Sequence, residues 1–135
     1  MAYWLLKTEP ETFSWDDLVR DGKTEWDGVR NPTARLNLRA MKLGDRALIY
    51  HSGAARDCVG VGEISREHRP DGPDGKWASV EVVPVAPLLR PVTLAAMKTE
   101  PRLADMIMLR QSRLSVAPVS DAEWAVILDM AGGTK

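Results

Sequence analysis

The sequence is poor in the side chains that bind metals, form disulfides or act as nucleophiles. It has one cysteine, Cys58, and two histidines. One cysteine excludes an intramolecular disulfide, and the absence of disulfides is typical of a reducing compartment. One cysteine and two histidines cannot by themselves build an ordinary structural zinc site. A pair of Cys58 with His51 would lack a recognisable orienting residue, and no glycine-rich phosphate loop is present. We therefore expect a binding protein rather than an enzyme, with no metal site.

A long hydrophobic run is also missing. The apolar start of the chain is interrupted by Lys7 and Glu9, and no cationic segment precedes it. Neither a signal peptide nor a membrane span is expected, so we predict a soluble, cytoplasmic protein, or one in the nucleus or nucleoid if it associates with DNA. The length suits a single domain, residues 1–135, with its own core.

An excess of positive charge, the mark of proteins that bind nucleic acids by charge alone, is absent. The formal net charge is −1. The charges are nevertheless segregated, because residues 9–27 contain seven acids and two bases, whereas residues 30–46 contain five bases and one acid. Any contact with phosphates should therefore be local and involve few side chains, unless the two runs are simply solvated helix faces.

What the sequence does contain is a series of short strand and helix signals. Ser14, Asn31 and Ser120 are good N-cap residues for helices that we predict to end near Arg20, Met41 and Gly132. A short helix is predicted over residues 94–98. Strands are predicted over residues 2–7, 46–51, 58–66, 77–86 and 109–116, with a flexible tip at 71–75. This pattern predicts an α+β fold, a mixed β barrel of about five or six short strands surrounded by short helices.

The segment from Trp26 to Arg35 carries the strongest functional signal. It places an indole, an Asp-Gly turn, two arginines and an asparagine at the start of a predicted helix. An indole can stack on a flat heterocycle, while guanidinium and amide groups bond its edge or a neighbouring phosphate. We therefore predict a nucleobase-binding pocket with Trp26 as its stacking wall. Packing of Trp26 in the core is the alternative.

Several polar residues near this segment have two interpretations. Asn31 can cap the helix or bond a base edge, and Arg35 can reach the pocket, a phosphate or a solvated ion pair. Glu9 can accept from an exocyclic amine of a base, or form a corner ion pair with Lys7 or Arg113.

Two further groups of residues lie in predicted strands. The Tyr50-His51-Ser52 run ends one strand, where binding residues are common, although His51 alone is more often a structural histidine. In the predicted late strand, Arg110 and Arg113 would point to opposite faces, and we favour Arg113 as the pocket residue.

A set of motif blocks resembles the EVE domain family, a branch of the PUA-like superfamily. In chain order the blocks are YWLLKTEP (Tyr3–Pro10), FSWDDL (Phe13–Leu18), WDGVRNPTAR (Trp26–Arg35), LRAMKLGD (Leu38–Asp45), IYHS (Ile49–Ser52), VGVGEI (Val59–Ile64), PVTL (Pro91–Leu94) and RQSRLSVAPV (Arg110–Val119). Their order over residues 3–130 makes the resemblance specific. The chain departs from it at Pro32 and Thr33, where many relatives carry an aromatic residue followed by glutamine.

The resemblance implies a PUA-like pseudo-barrel that has no cofactor and reads a modified nucleobase. Methylated or hydroxymethylated cytosine in DNA is the expected ligand, with a modified base in RNA as the related possibility, and a monomer is favoured. By motif match the pocket would be lined by Lys7, Thr8, Glu9, Trp26, Arg30, Asn31, Ala34, Arg35, Tyr50, His51, Ser52, Ser112 and Arg113. Two alternatives remain open: a small enzyme or binding protein for a free nucleoside-like metabolite, and an adaptor whose basic helix face binds a protein.

Overall fold

The computed structural model describes all 135 residues, and its centre is one six-stranded sheet. The strands are β1 (Tyr3–Thr8), β2 (Thr24–Trp26), β3 (Arg46–His51), β4 (Asp57–Asp71), β5 (Trp77–Thr93) and β6 (Val116–Val119). Their order in the sheet is β2-β5-β4-β3-β1-β6. β1 and β3 are parallel, and the other neighbouring pairs are antiparallel.

Five helices surround this sheet. They are α1 (Trp15–Asp21), α2 (Pro32–Ala40), α3 (Leu94–Lys98), α4 (Ile107–Arg110) and α5 (Asp121–Ala131), and a short 3₁₀ helix occupies Pro101–Leu103. The mixed α+β architecture predicted from the sequence is confirmed. None of these helices combines the length and apolar character that crossing a bilayer requires.

The predicted helix starts are confirmed by their capping bonds. Ser14 and Asp17 form a reciprocal capping box at α1, and Ser120 and Glu123 form another at α5. The side-chain oxygen of Asn31 accepts a hydrogen bond of 3.0 Å from a backbone N–H in the first turn of α2. Local side-chain chemistry therefore sets where these three helices begin.

The β4–β5 hairpin is longer than the sequence predicts. The predicted strands covered residues 58–66 and 77–86, whereas the observed strands extend to Asp71 and to Thr93. The register shifts four times along the pair, and Pro84 and Pro87 lie within the paired region of β5. Bulges and prolines break the regular alternation of side chains, so the pattern alone does not show the full length of these strands.

The late strand predicted over residues 109–116 is wrong. α4 ends at Arg110, a turn follows, and β6 begins only at Val116. The backbone N–H of Gln111 donates to the carbonyl of Ile107 at 2.8 Å, which closes a helical turn instead of joining the sheet. The argument that placed Arg110 and Arg113 on opposite faces of a strand therefore does not apply.

The parallel pairing of β1 with β3 brings two functional segments to one edge of the sheet. Lys7 lies opposite Tyr50, and Thr8 lies opposite His51. Beyond the strands the backbone N–H of Ser52 donates to the carbonyl of Thr8 at 2.9 Å. The carboxyl ends of β1 and β3 therefore meet where the candidate site lies.

Candidate functional site

A cleft of about 670 Å³ lies beside the carboxyl end of β1. Part of its wall comes from the end of β1 and the loop after it, and part from β2 and the loop that leads to α2. The lining residues are Lys7, Thr8, Glu9, Thr12, Phe13, Thr24, Glu25, Trp26, Asp27, Gly28, Val29, Arg30 and Ser115. This volume is in the range of small-ligand sites and is sufficient for a nucleobase.

Trp26 is both a core residue and a wall of the cleft. Its exposed fraction is 7%, and its backbone pairs with Val80 of β5. The ring of Phe13 meets it edge to face, with centroids 6.4 Å apart and planes at 87°. The two interpretations of Trp26, packing and wall of the pocket, are therefore compatible, and two aromatic rings form the apolar part of the cleft together with Val29.

Acidic and basic groups also line the cleft. Glu9 is exposed and forms no ion pair, so the alternative of a corner pair with Lys7 or Arg113 is wrong. The Nζ atom of Lys7 donates to the carbonyl of Ser112 at 2.9 Å, and burial lowers the pKa of this amine. The cleft thus offers two free carboxylate acceptors, those of Glu9 and Asp27, beside a partly desolvated cation.

The loop that carries Arg30 is held by the tip of the β4–β5 hairpin. Asp71 accepts hydrogen bonds from the Nη1 atom of Arg30 at 3.0 Å and from the backbone N–H of Gly28 at 3.1 Å. The bond from Arg30, followed by the bond from Gly28, holds the pKa of Asp71 below its usual value. These contacts fix the backbone around the Asp-Gly turn.

A hydrogen-bonded cluster around the carboxylate of Glu25 supports β2. Arg66 donates twice to the Glu25 carboxylate at 2.6 Å, Arg69 donates at 3.3 Å, and Ser79 donates a further short hydrogen bond. The bonds from Arg66, opposed by burial and helped by the bond from Ser79, lower the pKa of Glu25 to about 2. Glu25 is therefore an ionised structural anchor of the strand that ends in Trp26.

Trp77 lies against the two arginines of the predicted motif. The guanidinium carbons of Arg30 and Arg35 lie 5.6 and 5.1 Å from the centroid of the Trp77 ring. Arg35 also donates to the carbonyl of Lys76 at 3.2 Å and does not line the cleft. Its observed contacts are thus a cation–π interaction and a backbone bond.

The predicted site residues separate into three neighbouring depressions. Lys7, Thr8, Glu9, Trp26 and Arg30 meet in the main cleft. Tyr50, Ser52 and Ser112 line a second cavity of about 350 Å³, which shares Lys7 with the cleft. A shallow depression of about 310 Å³ contains Asn31, Ser112 and Arg113.

Two further predicted residues, Ala34 and His51, line none of these depressions. Ala34 is completely buried, because its face of α2 packs against the core, so a direct contact of Ala34 with a ligand is not supported. The Nε2 atom of His51 accepts a hydrogen bond of 3.0 Å from the backbone N–H of Trp15, which uses this ring to hold the start of α1.

Comparison with known proteins identifies the family of the chain. The family model of the EVE domain matches residues 2–130. The chain belongs to the EVE domain family. Human thymocyte nuclear protein 1 is 33% identical to this EVE domain over an alignment that covers 96% of this chain and 73% of the human protein.

Solved structures of other members have the same fold. The solution structure of a Rhodopseudomonas palustris protein is 48% identical, with a TM-score of 0.93 over 98% of this chain and 94% of that one. The crystal structure of human thymocyte nuclear protein 1 in complex with DNA containing 5-methylcytosine is 32% identical, with a TM-score of 0.91 over 97% and 98% of the two chains. The PUA-like fold expected from the resemblance is confirmed.

Sequence reasoning missed several residues that line the cleft of this EVE domain. They are Thr12, Phe13, Thr24, Glu25, Asp27, Gly28, Val29 and Ser115. Phe13 is the one phenylalanine of the chain and begins the FSWDDL block, so the sequence could have identified it as a second aromatic residue of the pocket. Glu25 gave no signal, because its role depends on arginines about forty residues away.

A Cys58–His51 dyad is not available in this EVE domain. Cys58 is completely buried, and burial raises the pKa of its thiol to about 12, so the nucleophilic thiolate is not populated near neutral pH. The ring nitrogen of His51 that accepts from Trp15 cannot at the same time accept a proton from a thiol. Neither residue lines the main cleft.

Proposed function

We propose that this EVE domain binds DNA without catalysing a reaction and reads a modified cytosine, methylated or hydroxymethylated, in the cleft beside Trp26. The observation that carries the proposal is the complex of human thymocyte nuclear protein 1 with DNA containing 5-methylcytosine, a structure that superposes on almost this whole chain. The cleft itself supplies the second argument, since it combines aromatic walls with a free carboxylate.

The chemistry of the cleft fits cytosine. Cytosine presents an N4 amino donor, and a carboxylate such as that of Glu9 is a suitable acceptor for it. Thymine carries a carbonyl oxygen at the same position, which the carboxylate would repel. The apolar groups of Phe13 and Val29 provide contacts for a substituent at C5. We therefore assign recognition of the amino group to Glu9 and recognition of the modification to the apolar wall.

Entry into the cleft requires that the base leave the duplex. Extrusion costs a few kcal/mol, and stacking on an aromatic ring returns roughly 1–3 kcal/mol per base. The edge bond to Glu9 and phosphate contacts by nearby cations supply the rest. Because all these groups come from one chain, a monomer is sufficient for binding.

The experiment that tests the proposal compares Glu9→Gln with wild type. Fluorescence anisotropy would be measured on matched duplexes containing cytosine, 5-methylcytosine, 5-hydroxymethylcytosine or thymine at one position, and on the same sequence as RNA. Wild type should prefer a modified cytosine in DNA, and Glu9→Gln should reduce the preference for cytosine bases over thymine. Glu11→Gln is the matched control, since Glu11 is also exposed but does not line the cleft.

Two results would contradict the proposal. Equal affinity of wild type for modified and unmodified duplexes would remove base reading. A thermal shift caused by free nucleosides, without binding of any oligonucleotide, would show instead that the cleft serves a small metabolite. Preferential binding of the RNA strand would move the same chemistry to a modified RNA base.

A further inference from the structure

The second cavity, of about 350 Å³, has an unusual charge distribution. Three cationic side chains line it, those of Lys7, Arg56 and Lys98, and no acidic residue does. None of the three forms an ion pair, although the chain contains more acids than bases. The acid nearest in sequence, Asp57, lies opposite His51 in the β3–β4 pairing and does not line this cavity. Three like charges around one space favour an anion between them.

The backbone at Arg56 gives a second, independent indication. Arg56 is the one non-glycine residue with a positive φ, at 48°. Glycine or asparagine adopts this left-handed conformation at lower cost, so arginine is an unfavourable choice for the backbone. Two bonds keep the strained segment in place: the carbonyl of Arg56 accepts from the N–H of Leu94 at 2.8 Å, and its Nε donates to the carbonyl of Gly53 at 3.1 Å. The Arg56 side chain therefore holds its own turn through Nε, while its two Nη groups have no hydrogen-bond or ion-pair partner in the protein.

Lys7 connects the second cavity to the main cleft, because it lines both. An ammonium group has three donors, and the Nζ atom of Lys7 uses one of them on the carbonyl of Ser112. The remaining donors are available to a ligand. An anion in the second cavity would therefore lie directly next to a base in the cleft.

We infer that the second cavity binds a phosphodiester group of the DNA strand whose modified base enters the cleft, with Arg56 and Lys98 as its charged contacts. The inference rests on the proposed function and extends it from the base to the backbone. An extruded base remains attached to the DNA strand, so the adjacent phosphate is the anionic group that lies next to the cleft when the base is bound. The net charge of the protein is close to zero, so such local contacts replace a broad basic surface.

The test uses Arg56→Asn and Lys98→Gln, with Lys42→Gln as the matched control. Lys42 is exposed, its ammonium group forms no ion pair, and it precedes the opposite end of β3. Affinity for modified and unmodified duplexes would be measured between 50 and 200 mM salt. Each cavity variant should weaken binding to both duplexes equally and reduce the slope of log K against log salt by about one. Its loss of affinity over this salt range should then be roughly three- to fourfold smaller than that of wild type.

Thermal unfolding keeps the test independent of stability. Arg56→Asn should leave Tm close to that of wild type, because the variant loses the bond from Nε to Gly53 but asparagine tolerates the left-handed conformation. A methylphosphonate next to the modified cytosine, which removes one backbone charge, should weaken wild type and leave Arg56→Asn almost unaffected. An unchanged salt slope and affinity in both variants would overturn the inference.

Two outcomes separate this inference from the base-reading proposal and from a free-anion site. If the variants reduce the slope of log K against log salt while wild type shows no preference for modified cytosine, the phosphate contact is supported and the base-reading proposal is contradicted. If inorganic phosphate alone raises Tm through Arg56 and Lys98 while the DNA slope is unchanged, the cavity binds a free anion, and the DNA backbone assignment is overturned.

Discussion

The Oδ2 atom of Asp71 lies 3.0 Å from the Nη1 atom of Arg30. The same oxygen accepts from the backbone N–H of Gly28, and the guanidinium of Arg30 also lies against the ring of Trp77. One carboxylate at the end of β4 thus holds the loop that forms a wall of the cleft. The β4–β5 hairpin must be long enough for Asp71 to reach this loop, so its length contributes to the shape of the site.

Replacing Asp71 with alanine should affect binding more than stability. Arg30 and Asp71 are 44% and 20% exposed, and pairs of this kind contribute about 0–1 kcal/mol. The loop around Gly28 would nevertheless lose both of its bonds to the hairpin tip. Asp71→Ala should therefore unfold in urea within about 1 kcal/mol of wild type and bind modified DNA several-fold more weakly.

Asp74→Ala is the control for that prediction, because Asp74 lies at the same tip and pairs only with the exposed Lys76. It should bind DNA like wild type. Equal binding by Asp71→Ala and wild type would show that the loop is rigid without the contact.

Substitution of Trp26 by phenylalanine should separate its role in binding from its role in packing. Trp26 is 7% exposed, so its truncation to alanine should cost about 3–5 kcal/mol of stability. Phenylalanine keeps an aromatic ring and most of the buried contacts. Trp26→Phe should remain folded and lose part of the preference for modified over unmodified cytosine, measured by anisotropy.

The matched control is Trp124→Phe. Trp124 is equally buried, at 8%, but stacks on Tyr3 and lies outside the cleft. Its Tm should fall by about as much as that of Trp26→Phe, but it should keep the wild-type preference for modified cytosine. A wild-type preference in Trp26→Phe as well would assign Trp26 to packing alone.

The parts of the fold that were predictable are those set by local chemistry. Ser14, Asn31 and Ser120 begin helices because a side-chain oxygen next to a free backbone N–H is a short-range signal. The end of β5 was not predictable, since pairing with β4 keeps Pro84 and Pro87 in the strand despite their propensity. The strand predicted over residues 109–116 included the end of α4, because a single helical turn is too short to display its period.

The candidate site was predictable as a region and less so residue by residue. The motif blocks identified Lys7, Glu9, Trp26 and Arg30, all of which line the cleft. They could not show that the side chain of Arg35, in the first turn of α2, packs against the Trp77 ring and not in the cleft. That contact depends on where the hairpin tip lies in space, and sequence spacing along α2 carries no information about it.

Gly60 should not tolerate a side chain. A Cβ atom on Gly60 would lie 2.5 Å from the ring of Trp15, whose backbone is held by His51. Because the Trp15 ring is 6% exposed and has little room to move, Gly60→Ala should destabilise the protein by roughly 1–3 kcal/mol or more, measured by urea unfolding. The double variant Gly60→Ala, Trp15→Leu should be more stable than the effects of the two single changes predict. Additive effects would show that the clash is relieved elsewhere.

The stability of the protein should fall in acid partly through Glu25. Its pKa is about 2 in the folded state, against an ordinary value of 4.5, chiefly because Arg66 donates two hydrogen bonds to the carboxylate. A lowered folded pKa means that the unfolded chain binds the proton more tightly. The stabilisation is therefore complete above about pH 4.5 and is lost as the pH falls towards 2. Since Glu25 and Arg66 are partly exposed, we expect a contribution of no more than about 2 kcal/mol.

Urea unfolding of wild type and Glu25→Gln at several pH values between 7 and 2 measures this contribution. Glutamine keeps the shape of the side chain but has no charge to lose, so the variant should be less stable than wild type at pH 7 and approach it near pH 2. Glu11→Gln, which removes an exposed carboxylate that has no ion pair, should follow the wild-type curve throughout. A constant difference between wild type and Glu25→Gln at every pH would mean that the carboxylate contributes through hydrogen bonds that glutamine also disrupts, and not through its ionisation.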